Sequence, residues 1–386
     1  MALTVLTPNN FCFANNPIIV EARTDQSVGA SGKSFLRIVC TATFTDYHGN
    51  EPDFSIELSQ PVADRGSAKF NLSDAAQTLI KRIHSGLDMA SSISRDIRID
   101  CTFTCKEVWL FEGQEITGSA FPSEEEEKAG VNHLSIVPGG FTDYELMTRD
   151  TIALDSAVKE GGYLARLASR KPEGAILYKG EVLIVPFLSS LDVAEEVYMD
   201  AGAIRSTRAA SASKNTLSYV AFNTEDLLSP DSYKVYTNSN FLATFQGPFR
   251  TNTHGVHFLR FINGFGAVEN ISVRSKDKLS YEVSGETHSL VQGAVTRPTD
   301  RRYATKSQPV GVYELSSGYV PKKWAEWFVQ ELLTSPRVWI QLGGKWVPAL
   351  IEAEDDCVIY DRTKPEMPHV DFTLRLAIDG VTGITW

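Results

Sequence analysis

Short segments dense in β-branched and aromatic residues recur along the whole chain, each closed by glycine, proline, asparagine or aspartate, and that punctuation favours β-structure over anything else. Residues 17–22 and 34–44 are two such segments, separated by a Gly/Ser-rich stretch. Residues 54–58 (Phe-Ser-Ile-Glu-Leu) alternate with period two, which puts their apolar side chains on one face of a strand. The pattern returns at 97–103, 107–111, 180–187, 232–236, 256–262, 358–360 and 370–378. The expected fold class is mainly β, with two or three consecutive β-sandwich or β-barrel-like domains and a few short helices.

Two stretches carry helical spacing instead. Residues 73–83 open on Ser73, a candidate N-cap, and place apolar residues along one side. Residues 321–333 open on Pro321, which suits a first turn, and repeat Trp324, Trp327, Phe328, Leu332 and Leu333 as a stripe before Pro336. A hairpin is expected over 337–351, turning at Gly343-Gly344. That register sets Gln341 opposite Trp346 and Trp339 opposite Pro348, so both tryptophans share a face. Residues 203–214 are small and polar and suggest a flexible excursion, while the like-charge run at 123–128 suits an exposed loop or linker.

A chain of 386 residues exceeds one ordinary core at roughly 150 residues per domain. The expected division is 1–137, an N-terminal β domain with one helix; 138–290, a central β domain; and 291–386, a C-terminal β domain with the helix at 321–333 and the hairpin at 337–351. A net charge of −11 opposes binding to nucleic acid, which needs clustered Lys or Arg; the compact pairs Arg301-Arg302 and Lys322-Lys323 read as solvated faces. The first ten residues lack a basic leader, and no apolar run approaches the ~20 residues of a bilayer span, so neither export nor membrane insertion is expected. Of five cysteines, the close pair Cys101 and Cys105 lies on one predicted strand, about 13 Å apart and too far for a disulfide. Buried free thiols are expected.

Motifs with catalytic or cofactor chemistry are weak. Residues 27–34 (Ser-Val-Gly-Ala-Ser-Gly-Lys-Ser) end like a phosphate-binding loop, but a strand pattern follows where a helix is required, so a hairpin loop is the better reading. His254 and His257, three apart on a strand, point to opposite faces and would not share a metal ion. Residues 352–356 are acidic but lack the spaced ligands of a calcium loop. Asn263-Gly264-Phe265-Gly266 lacks the third glycine of a dinucleotide fingerprint and stands between strands, where its glycines permit a tight turn or bulge. The chain is therefore expected to be non-enzymatic, with no catalytic residues, cofactor or metal. Trp324, Trp327, Trp339 and Trp346 are either core residues or, for Trp339 and Trp346, a binding face able to stack on a sugar or anchor a protein.

Three patterns in order along the chain resemble structural virion proteins of tailed phages and prophages from Bacteroidetes, of the tail or tail-tip type. The first is Phe13-Ala-Asn-Asn-Pro-Ile-Ile-Val-Glu21, joined by Ala68-Lys-Phe-Asn-Leu-Ser73; the second is Phe261-Ile-Asn-Gly-Phe-Gly-Ala-Val-Glu269. The third is Leu332-Leu-Thr-Ser-Pro336 followed by Trp346-Val-Pro-Ala-Leu-Ile351. Ala267-Val268 depart from the aromatic residue common at that place in the family. The resemblance implies a non-enzymatic part of a tail, tail tip or baseplate, located in the virion after assembly in the host cytoplasm. Its partners would be other virion proteins and further copies of the chain. The alternative is a carbohydrate-binding or host-adhesion module whose partner is a host surface glycan.

Overall fold

The computed structural model describes residues 3–7, 11–24, 35–62, 66–85, 97–111, 114–116, 131–141, 165–173, 175–189, 193–200, 205–212, 216–224, 232–236, 241–250, 255–283, 287–289, 302–304, 309–353 and 368–377. The protein is mainly β, as its punctuation requires, and its sheets form three units.

The first unit pairs two sheets. Strands β1 (Thr4–Leu6), β3 (Ile19–Arg23) and β6 (Ser67–Asn71) make the smaller. The larger runs β2 (Phe11–Phe13), β9 (Asn132–Val137), β7 (Ile99–Phe111), β4 (Phe35–Asp46) and β5 (Phe54–Val62), with β8 (Gln114–Ile116) also on β7. Helix α1 (Ser73–Ser85) packs Ala76, Leu79 and Ile80 into the core that the sheets share with Phe44, Phe70 and Phe103. Its cap comes from two residues earlier than Ser73: Asn71 Oδ1 accepts from the amides of Ser73 (3.1 Å) and Ile18 (3.2 Å). One side chain thus satisfies an orphan helix donor and ties β3 to the helix start.

The second unit has a sheet of β10 (Ala165–Leu167), β12 (Val182–Ser189) and β15 (Thr216–Asn223). Its other sheet runs β11 (Ala175–Tyr178), β17 (Phe241–Arg250), β16 (Ser232–Tyr236), β13 (Val193–Asp200) and β14 (Arg205–Ala212). Leu183, Val185, Phe187, Val197, Phe222 and Tyr233 fill the core between them. Strand β14 corrects the expected flexible excursion. Its small residues pair in unbroken register with β13, from Val193↔Ala212 to Asp200↔Arg205, and small polar residues are compatible with the edge position it occupies.

The third unit is a closed barrel of β18 (Val256–Ile262), β19 (Val268–Val283), β22 (Pro309–Ser316), β25 (Asp371–Leu376), β24 (Lys345–Ala353) and β23 (Val338–Leu342). It closes where Leu259, Arg260 and Phe261 meet Ile340, Trp339 and Val338. Strands β20 (Thr287–Ser289) and β21 (Arg302–Ala304) pair with each other as a separate two-stranded sheet. Because β18 and β19 are barrel staves, hydrogen bonding puts the change of unit between Arg250 and Val256, upstream of the expected boundary at 290. Pairing partners well downstream decide that membership, β22 at separations of 26 to 42 residues from β19 and β23 at 77 to 81 residues from β18, and local pattern does not reveal them.

The expected helix at 321–333 is present in two parts. Helix α2 (Lys322–Trp327) continues as a π-helical turn, Phe328–Leu332, in which Leu333 N bonds Phe328 O at 3.0 Å. Pro321 lies just outside, at the N-cap, and its carbonyl accepts from Trp324 and Ala325. Trp327, Phe328 and Leu332 enter the barrel core. The hairpin has the register expected from its Gly-Gly turn: Gln341 opposes Trp346 and Trp339 opposes Pro348, with Gly343 and Gly344 at φ +55° and +77°.

Of the remaining sequence features, residues 27–34, His254, residues 354–356, Arg301 and residues 123–128 lie outside the described residues. His257 is described, on β18, edge-on to Tyr313. We expect Asn71→Ala to lower the unfolding free energy by roughly 1–2 kcal/mol in urea titrations, since two buried amides lose their acceptor. An unchanged midpoint would show that water replaces the cap without cost.

Candidate functional site: a buried polar junction

The turn between β18 and β19 is the place where all three units meet. Asn263 is 3% exposed, and both ends of its amide are used. Its Oδ1 accepts from Phe265 N (3.0 Å) and Ala267 N (2.9 Å), which shapes the turn from within. Its Nδ2 donates to Ala168 O of the second unit (2.9 Å) and to Glu269 Oε2 (3.0 Å). Gly266 takes φ +70°, and a side chain there would strike Pro138 of the first unit. Gly139 has φ +73° and lies so close to Phe265 that a methyl group would overlap its backbone. Glycine is required at both places for conformation and for approach.

Arg170 and Glu331 clamp this turn. Arg170 Nη1 donates to Glu331 Oε1 at 2.7 Å and Nη2 to Gly140 O at 2.8 Å, while the guanidinium stacks 4.1 Å from the Phe265 ring centre. Glu331 Oε2 accepts from Gly264 N, and Gly140 N donates to Gly264 O (3.0 Å). One ion pair therefore binds a residue of the second unit to the barrel helix and to backbone of the first unit and of the turn. The π-helical turn carries Glu331, a placement in keeping with the irregular turns that often mark special sites.

Beside it lies a second cluster. Glu181 accepts from Asn270 Nδ2 (2.6 Å), Ser272 Oγ (2.8 Å) and Tyr178 N (3.1 Å), so β19 of the barrel satisfies a carboxylate of the second unit. Asn270 Oδ1 accepts from Ile184 N at 2.9 Å in return. Glu269 accepts from Ser169 Oγ and from Asn263. Burial pushes the carboxyl groups of Glu181 and Glu269 up; the charge of Lys171, whose Nζ donates to Asn270 O at 2.8 Å, opposes that in both. From the first unit, the His84 imidazole bonds the Gly266 backbone, and Arg337 reaches the His84 carbonyl at 3.4 Å.

An apolar layer completes the junction: Phe13, Ile97 and Val137 from the first unit, Ala168, Ile184, Leu217 and Tyr219 from the second, and Ile262, Phe265 and Trp339 from the barrel. The bridge Ile97↔Leu217 joins the first two units directly.

Of the two candidate binding residues, Trp339 is 8% exposed and lies within this layer, so its ring faces are covered and unavailable to a sugar. Trp346 is half-buried, with Arg260 stacked 4.0 Å from its ring centre. Trp327 is buried in the barrel core and Trp324 packs against it. The junction residues themselves were largely hidden from sequence reasoning. The available signal was Glu331, which falls four residues after Trp327 and so lies on the apolar stripe, where a carboxylate needs a partner.

Two predictions follow from this geometry. Glu331→Ala takes away the buried carboxylate to which Arg170 and the Gly264 amide donate and should cost about 3–5 kcal/mol of stability, whereas the double replacement Arg170→Met/Glu331→Met should lose less. Equal losses in chemical denaturation would show that the pair acts only through packing. His84 is 6% exposed, and desolvation drives its pKa down to about 4 against the Gly266 bond, with Arg337 adding to the fall. A folded pKa below the unfolded ~6.5 stabilises the neutral form: the contribution is complete above pH ~6.5 and is lost as pH falls towards 4, on the order of 3 kcal/mol. Glu181 and Glu269, raised in the fold, act in the opposite sense, their contribution fading as pH rises through their folded values. His84→Gln should flatten the decline between pH 6.5 and 4 in urea titrations; an unaltered slope would assign it to other groups.

No known family matches the chain, and no curated protein is similar to it in sequence. Solved structures give distant likenesses. The SafA pilin of Salmonella enterica in complex with the SafB chaperone has 8% identity and a TM-score of 0.19, over 64% of this chain and 95% of that one. A 1.5-MDa bacterial ice-binding adhesin has 10% identity and a TM-score of 0.16, over 82% and 93%. The FN1-FN3 domains of chicken CNTN1 have 8% identity and a TM-score of 0.18, over 82% and 94%. Likeness at this level carries no functional argument for the chain.

Proposed function

We propose that the protein is a non-enzymatic structural component of a phage or prophage tail or tail tip, working in the virion by assembly with other virion proteins and with copies of itself. The observation that carries this reading is where the three resembling patterns fall. Phe13 of the first pattern packs in the shared apolar layer, and Asn16 of the same pattern accepts from Phe141 N (3.0 Å) and donates to its carbonyl (2.9 Å). The second pattern is the turn itself, with Asn263, Gly264, Gly266 and Glu269. In the third, Ser335 Oγ stands 2.8 Å from Ile262 O and accepts from Ile262 N (3.2 Å), and Trp346 packs on the same layer.

Three stretches distant in sequence thus converge on one junction that fixes three β units together. A part that transmits load or sets register within a particle needs that property, because a hinge between its units would let neighbouring subunits lose alignment. The family resemblance supplies the setting, and the locked junction supplies a physical reason for those residues to recur in it.

Negative-stain microscopy with mass determination over a concentration series tests the reading. Rings or discrete symmetric oligomers are expected, together with the chain's presence in the proteome of purified particles. A chain that stays monomeric at every concentration and is absent from particles would overturn it.

A further inference from the structure

Away from the junction, the core of the first unit holds Cys40, Cys101 and Cys105, all buried, with Cys12 half-buried at its margin. The two cysteines that are close in sequence share strand β7. The ladder brings a different pair together: Cys40 of β4 stands directly opposite Cys105 of β7, each at most 1% exposed, and their thiols are hydrogen-bonded. Directly opposed residues in an antiparallel ladder face the same way with Cα atoms about 4.5 or 5.5 Å apart, within the range that a disulfide spans. Cys101 has no such neighbour, since Phe44 opposes it on one side and Leu134 on the other. Cys12 is on β2, which β9 separates from β7.

We propose that Cys40 and Cys105 are a cross-strand dithiol that a peroxide closes to a disulfide, giving the N-terminal sheet a reduced form and a covalently locked form. Cys105 is the attacking sulfur. The hydrogen bond from Cys40 holds its pKa down, whereas that same bond, followed by burial, pushes Cys40 up, and burial pushes Cys101 up to about 12. The Cys105 thiolate attacks one peroxide oxygen, the O–O bond breaks, and hydroxide leaves and is protonated to water. The resulting sulfenic acid is then attacked by the Cys40 sulfur; the S–O bond breaks, and the departing hydroxide takes the Cys40 proton as a second water. The two thiols together lose two electrons, which reduce one hydrogen peroxide to two waters. Hydrogen peroxide is small and uncharged, so it can reach sulfurs that bulkier oxidants cannot.

Treating the folded full-length chain with hydrogen peroxide tests this. Thiol titration in denaturant should show the loss of two of the five thiols, and peptide mapping should recover a Cys40–Cys105 link. The thermal midpoint should rise by roughly 5 °C. Cys40→Ser, which keeps a hydrogen-bond donor facing Cys105, should instead leave a sulfenic acid at Cys105 that dimedone, added as the treated chain is unfolded, labels, with no link formed. Five intact thiols after treatment, a link through Cys12, Cys101 or Cys357, or oxidation of Cys105 beyond sulfenic acid without a link in the unsubstituted chain would each overturn the proposal.

Discussion

The side-chain amide of Asn263 offers two donor and two acceptor positions, and protein groups occupy all four. Two of these bonds bend the chain between β18 and β19 into the turn that presents Gly264, Phe265 and Gly266. The other two fasten that turn to the second unit and orient Glu269. The close approach of Gly139, the stacking of Arg170 on Phe265 and the reach of Glu331 to the Gly264 amide all presuppose the shape Asn263 sets. An aspartate would lack the donors that Ala168 and Glu269 require, and an apolar residue would leave two buried amides without an acceptor.

Polar groups are a costly way to join β units, because each must give up water before it gains a partner. Leucine and phenylalanine layers would hold the units together with less specificity, since apolar surfaces slide over one another at small cost. Here the apolar layer supplies the attraction, while the directional bonds of Asn263, Asn270, Glu181 and Arg170 admit a single alignment. Glu181 and Glu269 are each 3% exposed and His84 6%, so this alignment keeps ionisable groups well out of water.

What local pattern controls was legible in the sequence. The β class, both helical stretches and the hairpin register that pairs Gln341 with Trp346 and Trp339 with Pro348 across Gly343-Gly344 follow from period, turn chemistry and spacing within a few residues. What distant pairing controls was not. Residues 205–212 look like loose chain until β13 lies beside them, and 256–283 look continuous with the preceding unit until β22 and β23 close the barrel. The sharing of a face by Trp339 and Trp346 was readable, but the layer that covers Trp339 comes from residues more than one hundred positions away, such as Ile184 and Phe13. The glutamates of the junction gave the least signal, because a carboxylate in a strand or helix pattern reads as solvated until its partners are known.

Strand order in the barrel has a kinetic consequence. Strand β25 lies between β22 and β24, and β18 has no second neighbour until β23 reaches it, so the barrel closes only after nearly all of the described chain is available. Contacts this far apart in sequence form slowly, because the entropy of loop closure is lost before pairing returns any energy. During synthesis the first unit can assemble its own sandwich early, while Gly139, Gly140 and His84 wait without Gly264, Gly266 and Arg337. The pose that relates the three units is therefore the last feature the chain acquires, and the interval before it is when the apolar layer around Phe13 and Val137 is open to the wrong partner.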